Sequence, residues 1–231
     1  PAEDGVIRNV PSFFEHDGAL FPALSIEILR VATGRKSVLA EVNIAGFNQV
    51  KVAKGISVHT DRNGNIWPYF SHHDKNKYVA ARDLVNGTVD PSKIKGKMLI
   101  LGTSAVGLRD IRTIPTERNI PGVEVHAQVI EAILQKQYLT RPNYADAAEL
   151  AFLFFGGLIM IILVPWVGAK WTFFLFVAVS GGAGGTSWYL FDEHRLLLDA
   201  AYAVVAILMI YTSMTYLGYA TEEANRRKTR A

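Results

Sequence analysis

Apolar residues are concentrated in the last third of the chain, in three runs that cover residues 147–169, 171–191 and 196–219. Each run has the roughly 20 apolar residues that a helix needs to cross a bilayer. In lipid, only helices and closed barrels satisfy their own backbone hydrogen bonds, and these runs lack the period-2 alternation of barrel strands. The pattern therefore predicts three transmembrane helices rather than the core of a soluble domain.

The preceding part of the chain, residues 1–146, has the mixed pattern of an α/β domain. Apolar residues at helical spacing predict one helix within residues 20–34 and a longer amphipathic helix from Val123 to Leu139. β-branched stretches predict short strands within residues 38–58. Lys97 to Leu101, a short apolar run between two glycines, predicts a buried central strand. We expect a mixed sheet with flanking helices, followed by an all-α bundle of transmembrane helices.

Basic residues predict how the chain is oriented in the membrane. The last residues, 220–231, carry four Lys and Arg side chains, and Lys170 lies in the link between the first two apolar runs. The link between the second and third runs, residues 192–195, has acidic residues that balance its arginine. Because cytoplasmic segments collect Lys and Arg near helix ends, we expect Lys170 and residues 220–231 on the cytoplasmic side of the inner (plasma) membrane. Residues 1–146 are then extracytoplasmic.

Composition excludes several classes of function. The net charge of +3 and the isoelectric point near 9.1 come partly from the basic tail. There is no stripe of Lys and Arg interleaved with aromatic residues, so nucleic-acid binding is not expected. The absence of cysteine rules out thiol chemistry and disulfides. The opening residues lack the pattern of a signal peptide, so either the first apolar run or an upstream segment has to direct export.

Candidate ligand-binding residues follow the predicted strand at Lys97 to Leu101. Thr103 and Ser104 lie where this strand meets a loop, a place where α/β proteins often bind ligands. Ser104, Asp110 and His126 are also the residue types of a nucleophilic triad. No nucleophile elbow or oxyanion donor accompanies them, and the stretch lacks a P-loop lysine, so we predict no catalytic residue. A tight turn at Gly102 to Ala105 and a structural hydrogen bond from His126 to the Asp110 loop are the alternatives.

Several histidines and aspartates surround the Asn63-Gly64 turn and raise the question of a metal site. The residues concerned are His59, Asp61, His72, His73 and Asp74. Adjacent histidines do not have the separation that places two ligands on one face of a helix or strand. The DRNGN segment lacks the terminal acidic residue of a calcium loop. We therefore predict a solvated hairpin and no metal.

Polar and small residues within the apolar runs indicate where the helices make contacts. Asp199 is the acidic residue that lies well inside a predicted span, near its outer end, where it has either a partner or access to the interface. Gly181 and Gly185 have the small-xxx-small spacing of close helix packing, within or between subunits. Broken helices and several buried polar groups, the features of a transporter, are not evident.

Three segments together resemble a known family. They are DGVIRNVP near the start, HTDRNGNIWPYF, and GKMLILGTSAVGLRDIRTIPTERNIPGVEVHAQVIEAIL, after which the three apolar runs follow. In this order they resemble the CHASE domain of the second class, a sensory domain associated with cyclases and histidine kinases. The resemblance implies an extracytoplasmic sensor, three membrane helices and a cytoplasmic output domain. Members usually begin with a membrane helix and a further strand–helix unit, so we expect such a part before Pro1.

The closing segment, TEEANRRKTRA, resembles the charged helical linker that precedes a class III nucleotide cyclase in family members. The resemblance then implies the receptor part of a bacterial membrane adenylate cyclase, which makes cyclic AMP and acts as a homodimer. No cofactor is expected in these residues, and the attached cyclase domain would need ATP and Mg²⁺ or Mn²⁺. The expected partners are membrane lipid, a second copy of the chain and an unknown extracytoplasmic ligand. Two alternatives are the sensor of a histidine kinase and a membrane assembly module without a small-molecule ligand.

Overall fold

The computed structural model describes residues 4–103 and 110–230 of the chain. The chain divides into two compact units, Pro1–Thr140 and Arg141–Ala231. The first unit contains short strands and helices, and the second contains only long apolar helices. The predicted fold class, a mixed α/β domain followed by three apolar helices, is confirmed.

Short antiparallel strands, two longer helices and one short helix make up the first unit. The helices are α1 (Leu24–Ala32), α2 (Ala81–Val85) and α3 (Gly122–Gln135), with 3-10 turns at Lys75–Lys77 and Pro91–Lys93. The strands are β1 (Val10–Pro11), β2 (Phe13–His16), β3 (Ala19–Pro22), β4 (Leu39–Asn43), β5 (Gly46–Ala53), β6 (Ile56–His59), β7 (Asn65–Pro68), β8 (Ile111–Ile114), β9 (Glu117–Pro121) and β10 (Tyr138–Leu139). They form the sheets β1-β7-β10 and β4-β5-β6 and the hairpins β2-β3 and β8-β9.

The core of this unit lies where α1 and α3 meet the strands. Its most buried side chains come from α1, α3, β5, β6 and β7, and include Ile26, Leu29, Val129, Ile133, Val50, Val58 and Ile66. Burying each such side chain stabilises the fold by about 1.5–3 kcal/mol. The helical spacing of the apolar residues explains why both helices form, since each presents one apolar face to the strands. α3 ends at Lys136, which adopts a left-handed conformation with φ 57°, and β10 follows.

The prediction of a buried strand from Lys97 to Leu101 is wrong. These residues have no regular secondary structure, and Leu99 and Leu101 expose 57% and 87% of their surface. Ile100 alone in this run packs against the core. An apolar run becomes a strand only when other strands pair with it, and no strand in the described ranges does so.

The first predicted helix is shorter than its apolar spacing suggested. Residues 19–22 form β3, which pairs with β2 in a hairpin, and α1 begins only at Leu24. Pro22 closes the strand; it has no backbone N–H and disfavours a helical conformation in the residue before it. The cross-strand pairs Phe13 with Pro22 and Phe14 with Phe21 therefore take residues that local periodicity assigned to a helix.

Three segments of the second unit are long and apolar enough to cross a membrane. They are Ala145–Val164, Trp171–His194 and Ala201–Ala224. The first two fall within one run of residues in helical conformation, α4 (Ala145–His194), and the third belongs to α5 (Ala201–Arg230). In a straight helix Gly156 and Val179 would be about 35 Å apart. A Cβ placed on Gly156 would nevertheless lie 3.5 Å from the Val179 side chain, so the chain reverses direction within α4.

Two adjacent glycines allow the three segments to pack closely. A Cβ on Gly156 would lie 3.2 Å from Ile207, and one on Gly157 would lie 3.0 Å from Ile210. The rings of Phe176 and Tyr211 stack nearby with centroids 5.1 Å apart. Small residues let helix backbones approach each other, and in lipid such packing is a main source of helix association. The helix contacts within the chain therefore depend on Gly156 and Gly157.

Gly181 and Gly185, the predicted packing glycines, lie on an exposed face. A Cβ on either residue would meet nothing within 4 Å. Among the described residues, no side chain of this chain therefore packs against them. Contact between subunits stays a prediction.

Asp199 lies just before α5 and belongs to a polar network at this end of the unit. Its carboxylate accepts a hydrogen bond from the Ala201 N–H (2.7 Å), and its own N–H donates to Glu149 (2.7 Å). The Arg141 guanidinium donates to Glu149 (3.0 and 3.1 Å) and Asp146 (2.8 Å). Carboxylates at a helix start satisfy free backbone N–H groups and complement the helix dipole. This explains why α5 begins at Ala201, after the start of the predicted apolar run.

Replacing Gly156 with leucine is expected to destabilise the helical unit. The larger side chain would overlap Ile207 and Val179, and overpacking of this kind costs about 1–3 kcal/mol. Gly182→Leu is the matched control, because a Cβ there meets nothing within 4 Å. Unfolding of both variants in detergent would be followed by circular dichroism during SDS titration. Equal losses in the two variants would contradict the packing described here.

Candidate functional site

A cavity of about 360 Å³ lies on the first unit, between β9 and the residues that follow β7. Six of its eight lining residues have polar or charged side chains. The lining residues are His73, Lys75, Tyr78, Glu117, Arg118, Asn119, Ile120 and Pro121. A volume of this size falls within the range of about 300–1,000 Å³ that is usual for small-molecule sites.

Glu124, in the first turn of α3, anchors the segment that carries His73 and Tyr78. Its carboxylate is buried, with 8% of the residue exposed. The carboxylate accepts hydrogen bonds from the Tyr78 hydroxyl, from His73 Nδ1 (2.7 Å) and from Gln128 Nε2 (3.0 Å). Gln128 in turn accepts a hydrogen bond from the Ser71 N–H (3.0 Å). Glu124 also lies in the first turn of α3, where the helix dipole favours its negative charge.

These contacts change the acidity of two of the groups. Burial by itself would raise the pKa of Glu124, but the hydrogen bonds from Tyr78, His73 and Gln128 outweigh it, so that pKa lies below its ordinary value. Burial and the hydrogen bond to Glu124 raise the pKa of Tyr78. Glu124 is therefore ionised and Tyr78 is protonated at neutral pH. Because an ionised carboxylate can only accept, the hydrogen between His73 and Glu124 belongs to Nδ1.

The opposite wall contains an irregularity in the β8-β9 hairpin. Arg112 pairs with Ile120 and Ile114 with Glu117, so Arg118 and Asn119 together oppose only Thr113. Asn119 has a φ of 61°, in the left-handed region that asparagine tolerates better than most residues. Bulges of this kind re-aim side chains and are frequent beside binding sites. Here both bulge residues, Arg118 and Asn119, lie on the cavity lining, within the continuous run from Glu117 to Pro121 that forms this wall.

Some charged side chains at or near the cavity have ion-pair partners and others do not. Glu117 lies 3.6 Å from the His72 ring, and Lys77, outside the lining, forms an ion pair with Glu131 (2.7 Å). Neither Lys75 nor Arg118 has an ion-pair partner among residues 4–103 and 110–230. Both side chains are exposed. The cavity therefore presents two cationic groups that a ligand can reach.

Thr103, Asp110 and His126, the predicted ligand-binding residues that the structure describes, are not among the residues that line this cavity. Ser104 lies outside the described residues, and Thr103 is exposed in a loop. Before Thr103, Gly102 lies so close to Val123 that a Cβ would overlap that side chain. The backbone carbonyl of Asp110 accepts a hydrogen bond from the Gly122 N–H (2.8 Å). The side-chain carboxylate of Asp110 lies 3.3 Å from the Arg112 guanidinium.

His126, the last of these residues, bonds to α1. Its Nδ1 is 2.9 Å from the buried Ser25 hydroxyl. Burial lowers the pKa of His126, and the nearby Asp110 charge offsets part of that effect. A hydrogen bond between His126 and the Asp110 loop stays a prediction, because residues 104–109 of that loop lie outside the described residues. A role for Thr103, Asp110 and His126 in binding a ligand stays a prediction.

The residues weighed as metal ligands take part in separate contacts. Asp61 accepts hydrogen bonds from the Asn63 N–H (2.9 Å), the Asn65 N–H (2.9 Å) and the Trp67 indole (3.0 Å). His72 and His73 face different carboxylates, Glu117 and Glu124. In the part of the chain that the structure describes, no group of three such side chains is close enough to hold a metal ion. Asp61 instead fixes the turn that leads into β7.

Comparison with known protein families identifies most of the chain. A family model described as the CHASE2 domain matches residues 1–163, well over half of the 231 residues. The chain belongs to the CHASE2 family. The resemblance inferred from the sequence motifs is thereby confirmed. The matched CHASE2 region extends into the first apolar segment, Ala145–Val164. No curated protein and no solved structure matches the chain significantly.

The CHASE2 sequence contained one signal for the cavity that sequence reasoning missed. Glu124 and Gln128 are four residues apart, and both are buried on α3 beside Val125 and Val129. A polar pair at this spacing next to an apolar helical stripe indicates a buried hydrogen-bond network. The partners His73 and Tyr78 lie about fifty positions earlier in the chain. The network could therefore be suspected from the sequence, but its members could not be paired.

Glu124→Gln is expected to lower the free energy of unfolding of this unit by about 1–3 kcal/mol at pH 7, because three donors lose a charged acceptor. The stabilisation by the carboxylate is complete above the ordinary pKa of 4.5 and is lost as the pH falls through the lowered pKa of the folded state. The variant should lack this acid-dependent loss. Hydrogen exchange of the α3 amides, measured by mass spectrometry between neutral and acidic pH, reports both effects.

Glu131→Gln is the matched control on the same helix. Its carboxylate forms a more exposed pair with Lys77, which contributes about 0–1 kcal/mol. A loss of stability in Glu131→Gln as large as that in Glu124→Gln would contradict a special role for the buried network.

Proposed function

We propose that the chain is the sensor and transmembrane part of a bacterial membrane-bound adenylate cyclase. CHASE2 membership and three candidate membrane helices mark a sensor of a membrane receptor. The step to a cyclase rests on the basic closing segment and its likeness to a cyclase linker. In this proposal the first unit detects an extracytoplasmic signal, and the helices pass it to a cytoplasmic class III cyclase domain that makes cyclic AMP.

The continuity of α5 is the observation that carries this proposal. One helix of 30 residues contains the third span, Ala201–Ala224, and continues to Arg230 in the basic closing segment. A continuous hydrogen-bonded helix moves largely as one body, so a shift of the span displaces the closing segment as well. Such a shift becomes signalling only if the ligand-bound and ligand-free states differ in their contacts.

Other parts of the proposal concern partners. Lipid surrounds the helices, whose exposed side chains include Phe154, Phe155, Trp171 and Trp188. A homodimer is proposed because class III cyclases form their active sites between two subunits. The exposed glycines Gly181 and Gly185 give such a dimer a surface on which two helices can approach closely. ATP and Mg²⁺ or Mn²⁺ would bind to the attached cyclase domain.

The test expresses the natural protein that contains this chain in a bacterium without adenylate cyclase and measures cyclic AMP. We expect cyclic AMP above background, and a change in its level when residues 1–146 are deleted. Autophosphorylation on histidine without cyclic AMP would replace the cyclase with a histidine kinase. Activity and dimerisation that are both unchanged by the deletion would overturn the sensor role, and loss of dimerisation alone would favour an assembly module.

The proposed topology can be tested with single cysteines, because the chain contains no cysteine of its own. Lys36 and Lys228 are both exposed lysines and give a matched pair. A membrane-impermeant maleimide should label Lys36→Cys in intact spheroplasts and label Lys228→Cys only after the membrane is opened. Glu193→Cys, in the last turn of α4, should behave like Lys36→Cys. Labelling of Lys228→Cys in intact spheroplasts would reverse the proposed orientation.

A further inference from the structure

We propose that the cavity between β9 and residues 73–78 binds a small soluble organic anion through Arg118, Lys75 and Asn119. The ligand class is defined by carboxylate or phosphate oxygens on a molecule small enough for a cavity of about 360 Å³. This inference supplies the ligand class of the proposed sensor and rests on that function for its biological role. The binding itself can be measured without any output domain.

Unpaired cations on the lining favour an anion. Arg118 and Lys75 have no carboxylate partner in the described ranges of the chain, whereas the neighbouring Lys77 is paired with Glu131. A guanidinium binds a carboxylate or phosphate through two parallel hydrogen bonds, and an ammonium adds a point charge. The Asn119 amide can donate a further hydrogen bond without adding charge.

The backbone at the bulge supports a binding role for the same residues. Asn119 holds a left-handed conformation within β9, and together with Arg118 it opposes a single residue of β8. Both bulge residues lie on the cavity lining, and uncommon backbone conformations of this kind cluster at ligand-binding sites.

The hydrogen bonds beneath the cavity make its shape well defined before a ligand arrives. Tyr78 and His73 are both held by Glu124, and the Thr116 hydroxyl donates to the Ser71 carbonyl (3.0 Å), which ties the two walls together. A cavity wall that is already ordered loses less conformational entropy when a ligand binds. The acidic Glu117 lies on the lining with His72 3.6 Å away, and it disfavours anions that crowd that side.

The experiment measures binding to the 231-residue chain in zwitterionic lipid nanodiscs by isothermal titration calorimetry. The probes are inorganic phosphate, succinate and citrate, with succinamide as the neutral analogue of succinate. We expect saturable binding of at least one anion and none of succinamide. Arg118→Gln and Lys75→Gln should each weaken binding about tenfold or more, the effect of losing one charge-assisted hydrogen bond.

Matched controls replace exposed cations away from the cavity. Arg35→Gln and Lys54→Gln remove the same charges from exposed positions and should leave the affinity unchanged. Equal weakening in the controls, binding of succinamide as tight as that of succinate, or no saturable binding of any anion would overturn the proposal. Arg118-dependent binding that appears only in nanodiscs with anionic lipid would assign the anion to a lipid headgroup and overturn a soluble ligand.

Failure of this inference and failure of the proposed function give different results. If the anion binds but the natural protein makes no cyclic AMP, the site stands and the cyclase assignment fails. If cyclic AMP is made but no anion binds to the chain, the cyclase stands and this ligand class is wrong.

Discussion

The cavity in this protein depends on one buried carboxylate. An ionised Glu124 away from water would be strongly unfavourable without hydrogen-bond donors, and Tyr78, His73 and Gln128 supply them. The same bonds connect α3 to the segment after β7, which has almost no regular secondary structure of its own. A polar network thus holds the segment with His73 and Tyr78 in place, whereas elsewhere in the unit strand pairing holds the backbone in place.

Different forces organise the helical unit. Its outward faces are apolar, and lipid removes the advantage that burial in water gives to a hydrophobic side chain. Two other interactions therefore stabilise the helical unit. They are the close helix contacts at Gly156 and Gly157 and the polar network of Arg141, Glu149 and Asp199. The glycines determine how closely the segments approach, and the network fixes the start of α5.

The sequence predicted best those features that depend on local composition. Three apolar segments and the amphipathic helix α3 follow from hydropathy and its period, and all are present. The segment Lys97 to Leu101 was predicted as a strand but is not one, because an apolar run does not reveal whether other strands will pair with it. The bulge at Arg118 and Asn119 was not predicted, because a bulge arises from the register between two strands. The hydrogen-bond network of Glu124 was not predicted, because its partners His73 and Tyr78 are distant in sequence and no local pattern identifies them.

The unbroken course of α5 has a consequence for the angular arrangement of the chain. Each residue of a helix turns it by about 100°, so the direction in which the basic closing segment faces is fixed by the number of residues that separate it from Ala201. Asp199 marks the start of this count through its hydrogen bond to Ala201. Insertion of one residue would rotate everything beyond it by more than a quarter turn, whereas insertion of seven would nearly restore the original direction. The chain is thus built so that helical phase, as well as helix position, relates the two ends of α5.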